Sequence, residues 1–188
     1  CPNSPTFRKY APKLAGKLAE RYADTPGLVA WHVSNEYGAY CYCDNCREAW
    51  IEWLKAKYGT VEALNKAWYS HFWGHTIYDW DDIVVPNALS DEWTPGCATL
   101  SAAAIDYRRF MSRSITRCFT DEKAAIRQFD TKTPITTNLM SVFMDIDYFD
   151  LGKELDVISW DSYPRYDFPA SAVAMRHDLM RGVGGGKP

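Results

Sequence analysis

The chain has 188 residues, enough for one ordinary domain with a substantial core. Its net charge is −3, from 21 Lys and Arg scattered among 24 Asp and Glu, which excludes the concentrated basic face that nucleic-acid binding requires. No apolar run is long enough to span a membrane and no signal-peptide pattern is present. Aromatic residues make up 15% of the chain, a load that suits either a groove stacking sugar rings or a large aromatic core. The chain opens at Cys1-Pro2 without Met and closes on Gly184-Gly185-Gly186-Lys187-Pro188, so both ends read as cuts through a larger protein.

In chain order, residues 5–24 read as an amphipathic helix, because Phe7, Tyr10, Leu14, Leu18 and Tyr22 recur at three- and four-residue steps with Lys and Arg between them. Asp24-Thr25-Pro26-Gly27 ends it. A buried strand over 28–33 then presents Asn35 and Glu36 into a loop. A Cys-rich loop over 39–46 leads into a helix over 47–58, closed by Gly59, and Thr60 caps a shorter helix over 61–69. Residues 70–99 read as a long irregular segment rich in Trp, Asp and Pro, of a length that is more often functional than idle. The longest helix is expected over 100–129, with a near-heptad seam of Leu100, Ala104, Tyr107, Met111, Ile115, Cys118, Glu122, Ala125 and Phe129, in which Glu122 is the one polar member. A short strand over 134–140, an acidic-aromatic stretch with helical potential over 143–153, a third strand over 156–161 and a last helix over 170–181 complete the chain.

Strands separated by helical crossovers argue for a parallel sheet. Each strand ends in polar residues: Asn35-Glu36, then Asn138, then Asp161-Ser162-Tyr163. Three strands cannot close an eight-stranded barrel. The expectation is therefore an α/β fold, a partial (β/α)8 TIM barrel truncated at both ends, with all of 1–188 in one segment; an open doubly wound sheet is the alternative.

A carboxylate beside a carboxamide at the end of a strand suits glycoside hydrolysis. A Glu with a raised pKa can protonate the leaving oxygen, while the neutral amide bonds a sugar hydroxyl without perturbing the acid. A Glu closing an ordinary surface loop would look the same. Cys41, Cys43 and Cys46 have a C-x-C-x-x-C spacing that lets three sulfurs converge on one ion, and Cys1 is the natural fourth ligand. Four thiolates would make a closed structural zinc site that braces the loop; a disulfide cluster or free thiols are the alternatives. Cys118 lies on the helical seam and reads as a buried apolar residue, Cys97 has no assigned role, and two unpaired thiols favour a reducing compartment. His32 reads as a hydrogen-bonded barrel residue. His71 and His75 flank Trp73 and suit either a pocket or a surface loop. Asp79, Asp81 and Asp82 read as a solvated turn, and Trp50, Trp53 and Trp68 as packing residues.

Together these residues resemble the catalytic barrel of the glycoside hydrolase family 42 β-galactosidases. The resemblance rests on Cys1-Pro2-Asn3-Ser4-Pro5, the block from Trp31 to Gly38, the Cys41, Cys43 and Cys46 cluster, and Ala67-Trp68-Tyr69 with Phe72-Trp73-Gly74. It continues through Thr137-Asn138-Leu139-Met140 and Ser159-Trp160-Asp161-Ser162-Tyr163-Pro164, nearly end to end and in family order. It implies strands four to six of the barrel and a retaining exo-hydrolase acting on a terminal β-galactoside or galacto-oligosaccharide, with no nucleic-acid or membrane partner. Glu36 matches the general acid/base and Asn35 the residue bonding the sugar's 2-hydroxyl. Trp73 and Tyr163 match pocket aromatics, and Asn138 and Asp161 match strand ends facing the cleft. Cys1, Cys41, Cys43 and Cys46 match a structural zinc tetrad. The resemblance further implies a cytoplasmic, trimeric parent enzyme. The family's nucleophile, a second Glu on the seventh strand, falls beyond Pro188, so the 188 residues by themselves are expected to be inactive. Two alternatives remain: a same-clan glycosidase of other specificity, such as an arabinopyranosidase, and a non-catalytic, zinc-braced carbohydrate-binding or interaction module.

Overall fold

Helical periodicity governs most of this chain, and each described strand is two residues long. The computed structural model describes residues 1–38, 40–86 and 100–188, with only the backbone described at Trp73. The described elements run α1 (Pro5–Tyr22), β1 (Trp31–His32), α2 (Asp44–Tyr58), α3 (Val61–Trp68), two 3-10 turns (Phe72–Gly74 and Trp80–Asp82) and α4 (Ser101–Arg127). They continue with β2 (Ile135–Thr136), β3 (Asn138–Leu139), α5 (Tyr148–Glu154), β4 (Ser159–Trp160) and α6 (Ala170–Gly184). Residues 87–99 of the expected irregular segment, Cys97 among them, lie outside the described residues.

Element ends follow their local chemistry. Gly59 stops α2 with φ 77°, a left-handed conformation that glycine adopts without strain. Thr60 opens α3 by accepting the Ala63 N–H at 3.2 Å, and Asp147 opens α5 by accepting those of Phe149 and Asp150.

The chain divides into two compact units, Cys1–Phe7 with Tyr40–Ser114, and Arg8–Ala39 with Ile115–Pro188. In the first, Trp50 is fully buried and stacks on Trp53 and Trp68 at centroid distances of 5.4 and 6.1 Å, with Tyr107 edge-on at 5.1 Å. Leu54, Leu64, Ile83 and Met111 close this core. The tryptophans of α2 and α3 thus serve packing. Asp106 is buried among them and accepts hydrogen bonds from Lys57, Tyr58 and Trp68.

The second unit holds every described strand. β1 pairs in parallel with β2 (Trp31 opposite Ile135) and β3 with β4 (Asn138 opposite Ser159). Only Thr137 separates β2 from β3, so this central segment meets β1 on one side and β4 on the other. The parallel order expected from the helical crossovers is present; the ladders are shorter than the expected strands. Ile115, Phe119, Ile126, Ile135, Leu139, Leu151 and Leu155 form the core beside them.

One sequence expectation fails on burial. The large apolar residues of α1 face outward, with Tyr10 54%, Leu14 63% and Leu18 44% exposed, while Ala15, Gly16 and Ala19 are buried. Small residues win that face because the helices approach closely: a Cβ at Gly16 would lie 3.6 Å from the Ala125 Cβ. His32 lies in β1 and is exposed.

Candidate active site and metal centre

The last ladder bond of β1 runs from the Val33 N–H to the Thr136 carbonyl at 2.8 Å. Beyond it the chain leaves the sheet abruptly, with Ser34 at φ 58° and Glu36 at φ 45°. Left-handed backbone at two non-glycine residues in three is costly and persists only when surrounding contacts hold it. Asn138, at the start of β3, supplies one such contact: its Oδ1 accepts the Glu36 backbone N–H at 2.9 Å. Its Nδ2 in turn donates to both carboxylate oxygens of Asp161, at 2.9 and 3.1 Å, just beyond β4. Asp161 is itself seated by its backbone N–H bonding the Leu139 carbonyl at 2.8 Å. Glu36 in the loop after β1, Asn138 at the start of β3 and Asp161 just past β4 therefore meet.

The Asp161 carboxylate, through a hydrogen bond and through its charge, with burial a smaller cause, holds the Glu36 carboxyl above the ordinary carboxylate range. A raised carboxyl is the direction a general acid needs. Tyr148 of α5 faces the same pair; its hydroxyl accepts the Met140 N–H at 2.8 Å, and burial, together with the charges of Asp161 and Glu36, raises it.

Asn35 and Tyr163 are exposed, Tyr163 at 82%, and neither joins this network. Trp73 belongs to the other unit, in the 3-10 turn Phe72–Gly74. The residue after Glu36 was not legible as part of the site. Tyr37 donates its hydroxyl to Glu122 Oε1 at 3.1 Å, which accounts for the one polar residue in the α4 seam. Burial raises Glu122, the Tyr37 bond opposing it, and the same burial raises Tyr37. The only sequence signal was that misplaced Glu.

The four cysteines of the other candidate site lie in the first unit. Sγ of Cys1 stands 3.4 Å from those of Cys46 and Cys43, Cys41 and Cys43 are 3.5 Å apart, and all four sulfurs lie within 4.8 Å of one another. A tetrahedral thiolate site with bonds of about 2.3 Å needs sulfur–sulfur edges of roughly 3.8 Å, so the set fits one metal ion with no protein ligand to spare. Two features support the cluster from outside: Asn3 Nδ2 donates to Cys46 Sγ at 3.4 Å, and the Tyr107 hydroxyl donates to the Cys41 carbonyl at 2.5 Å. The backbone N–H of Cys46 lowers the Cys43 thiol, whereas burial pushes the Cys46 thiol up to about 12. A bound cation would ionise Cys46 outright.

The sequence profile described as beta-galactosidase, of glycoside hydrolase family 42, matches residues 1–188. The chain belongs to the family 42 β-galactosidases. It is 56% identical over 188 residues to the β-galactosidase BgaP of Planococcus sp. (strain L4), covering all of this chain and 28% of that protein. With the β-galactosidase LacA of Lactobacillus acidophilus it shares 50% identity over 97% of this chain and 28% of that one. The crystal structure of the β-galactosidase from Bacillus circulans sp. alkalophilus superimposes with a TM-score of 0.94 at 57% identity, over 97% of this chain and 27% of that one. The structural neighbours of this family 42 chain are thus TIM-barrel β-galactosidases, and the chain spans about 28% of the length of the curated relatives. No described helix is long and apolar enough to cross a membrane.

Proposed function

We propose that this family 42 chain is a segment of the catalytic barrel of a retaining β-galactosidase, occupying strands four to six, with Glu36 as its general acid/base. The observation that supports this reading is the meeting of Glu36 after β1, Asn138 in the segment between the two ladders and Asp161 after β4, with the Glu36 carboxyl raised by its bond to Asp161 and by the Asp161 charge. Strand ends are where barrels of this class keep their chemistry. In the glycosylation step Glu36 protonates the glycosidic oxygen as the bond to the anomeric carbon breaks. In the second step its carboxylate takes a proton from the attacking water. A retaining mechanism needs a nucleophilic carboxylate about 5–5.5 Å from the acid, which this reading assigns to a Glu outside these 188 residues.

Asn35 bonds the 2-hydroxyl of the terminal galactose, and Tyr163, Asn138 and Asp161 line the cleft; Trp73 keeps its assignment to galactose on the family pattern alone. Cys1, Cys41, Cys43 and Cys46 hold a structural Zn2+, which supplies rigidity to the loop and takes no part in bond cleavage. The substrate is a β-galactoside or galacto-oligosaccharide, and the intact enzyme is a cytoplasmic homotrimer. The test is turnover of a chromogenic galactoside. The full-length protein is active, Glu36→Gln abolishes the activity, and the pure 188-residue chain shows none. Turnover by the isolated chain that Glu36→Gln removes would overturn the assignment of the nucleophile. Full activity of Glu36→Gln in the full-length protein would overturn the assignment of the acid.

A further inference from the structure

The geometry points to Asn138 and Asp161 as positioning residues for the general acid, Asn138 holding the backbone of Glu36 and Asp161 standing against both the Asn138 amide and the Glu36 side chain. This inference rests on the reading of Glu36 as the acid and goes beyond it. Asn138 has two amide hydrogens, and both carboxylate oxygens of Asp161 lie within bonding distance of its Nδ2. Its carbonyl oxygen already accepts the Glu36 N–H. One amide hydrogen, shared between the two Asp161 oxygens, makes the contact to Asp161. The side chain so joins a residue 102 positions away to one 23 positions away, tying the loop after β1 to the residue that follows β4. The bonding also decides the orientation of the amide: only oxygen toward Glu36 and nitrogen toward Asp161 satisfies both partners.

The Glu36 backbone is left-handed at φ 45°, and the Asn138 bond to its N–H is a contact that holds it there. Without that bond the loop relaxes toward ordinary backbone and carries the carboxyl away from the leaving oxygen. Asp161 acts on the same carboxyl by a second route, since two neighbouring carboxylates cannot both be charged without cost. The titratable groups facing Glu36 are Asp161 beyond β4 and Tyr148 of α5, and Tyr148, raised by burial, stays neutral across the working range. Removing the Asp161 charge therefore lets Glu36 lose its proton at lower pH.

The experiment compares Glu36→Gln, Asn138→Ala and Asp161→Asn in the full-length enzyme on two substrates, dinitrophenyl galactoside, which departs without protonation, and methyl galactoside, which needs it. Loss of a placed acid harms the second far more than the first. In Asn138→Ala, kcat/KM for methyl galactoside is expected to fall about 10- to 100-fold more than for the dinitrophenyl substrate, with inhibition by galactose little changed. In Asp161→Asn, the alkaline limb of the kcat/KM profile is expected to move to lower pH. Equal losses on both substrates in Asn138→Ala, or weakened galactose inhibition with an unchanged substrate ratio, would overturn the proposal in favour of a structural or sugar-binding role. An unmoved alkaline limb in Asp161→Asn overturns it as well, and decides the matter alone if Asn138→Ala does not fold. Glu36→Gln serves as the reference: if it shows no leaving-group dependence, the acid itself is misassigned, an outcome distinct from failure of the two positioning residues.

Discussion

Replacing Asp106 separates hydrogen bonding from charge pairing in the core of the first unit. One carboxylate oxygen accepts from Trp68 Nε1 at 3.1 Å and from the Tyr58 hydroxyl, while the other accepts from Lys57 at 2.5 Å and Arg109 at 3.3 Å. The Asp106 side chain is 3% exposed, Lys57 33% and Arg109 63%. In Asp106→Ala, Trp68 and Tyr58 lose their acceptor in a buried place, at about 1–3 kcal/mol for the first and about 1 kcal/mol for the second. Lys57 turns to water, and the exposed Arg109 pair carries little weight. The expected loss is about 3 kcal/mol, or roughly 6–12 °C in Tm for a chain of this size. Asp106→Asn keeps one carbonyl oxygen toward Trp68 and Tyr58 but turns its amide nitrogen toward the donors Lys57 and Arg109, which must turn to water, for a loss of about 1–2 kcal/mol, smaller than that of Asp106→Ala. Urea unfolding followed by tryptophan fluorescence reads both, since Trp50, Trp53 and Trp68 surround the site. The sign with pH is determined too. Burial works against the charged form, but the bonds from Lys57, Tyr58 and Trp68 outweigh it and hold Asp106 below the ordinary range. Its contribution is therefore present above the unfolded-state pKa and fades as the pH falls toward the folded value. Equal losses in Asp106→Asn and Asp106→Ala would refute the argument, because charge and not hydrogen bonding would then hold this core.

Three further outcomes follow from other contacts. Native mass spectrometry should find one zinc per chain, and Cys46→Ser should lose it, since removing the buried Sγ leaves three thiolates; retention of stoichiometric metal by that variant would remove Cys46 from the ligand set. Glu122, raised by burial, weakens the fold as it ionises, so the stability of the wild type relative to Glu122→Gln should fall as pH rises from the unfolded carboxylate value through the folded one; a difference that stays flat between acid and neutral pH would contradict the burial of its charge. Gly152→Ala places a Cβ 2.6 Å from Val183 Cγ1 and 3.1 Å from the Val183 carbonyl oxygen, so α5 and α6 must part. The cost of about 1–3 kcal/mol outweighs the gain of about 1 kcal/mol in helix propensity, and a raised Tm would show that the two helices yield freely.

Much of the candidate site was legible because its chemistry is written in short runs. Asn35-Glu36 after an apolar strand and the C-x-C-x-x-C spacing each depend on neighbours a few residues apart, and so do the helices, whose periodicity and caps are local. The parallel pairing also followed from the sequence, because the helices between the expected strands supply the long crossover that parallel pairing requires.

Tertiary structure alone decided which groups those runs would meet. Nothing near Glu36 in the chain announces that Asn138 will hold its backbone or that Asp161 will raise its carboxyl; those contacts exist because the strands lie side by side. Glu122 stood out as a polar residue in an apolar seam, yet its partner Tyr37 lies 85 positions away. The buried face of α1 was misread for the same reason: periodicity shows that a helix has an apolar stripe, but the closeness of Gly16 to Ala125 determined which stripe is covered. Local propensity acts over a turn or two of chain, whereas burial, proton affinity and backbone strain are set by whatever the fold brings within a few ångströms.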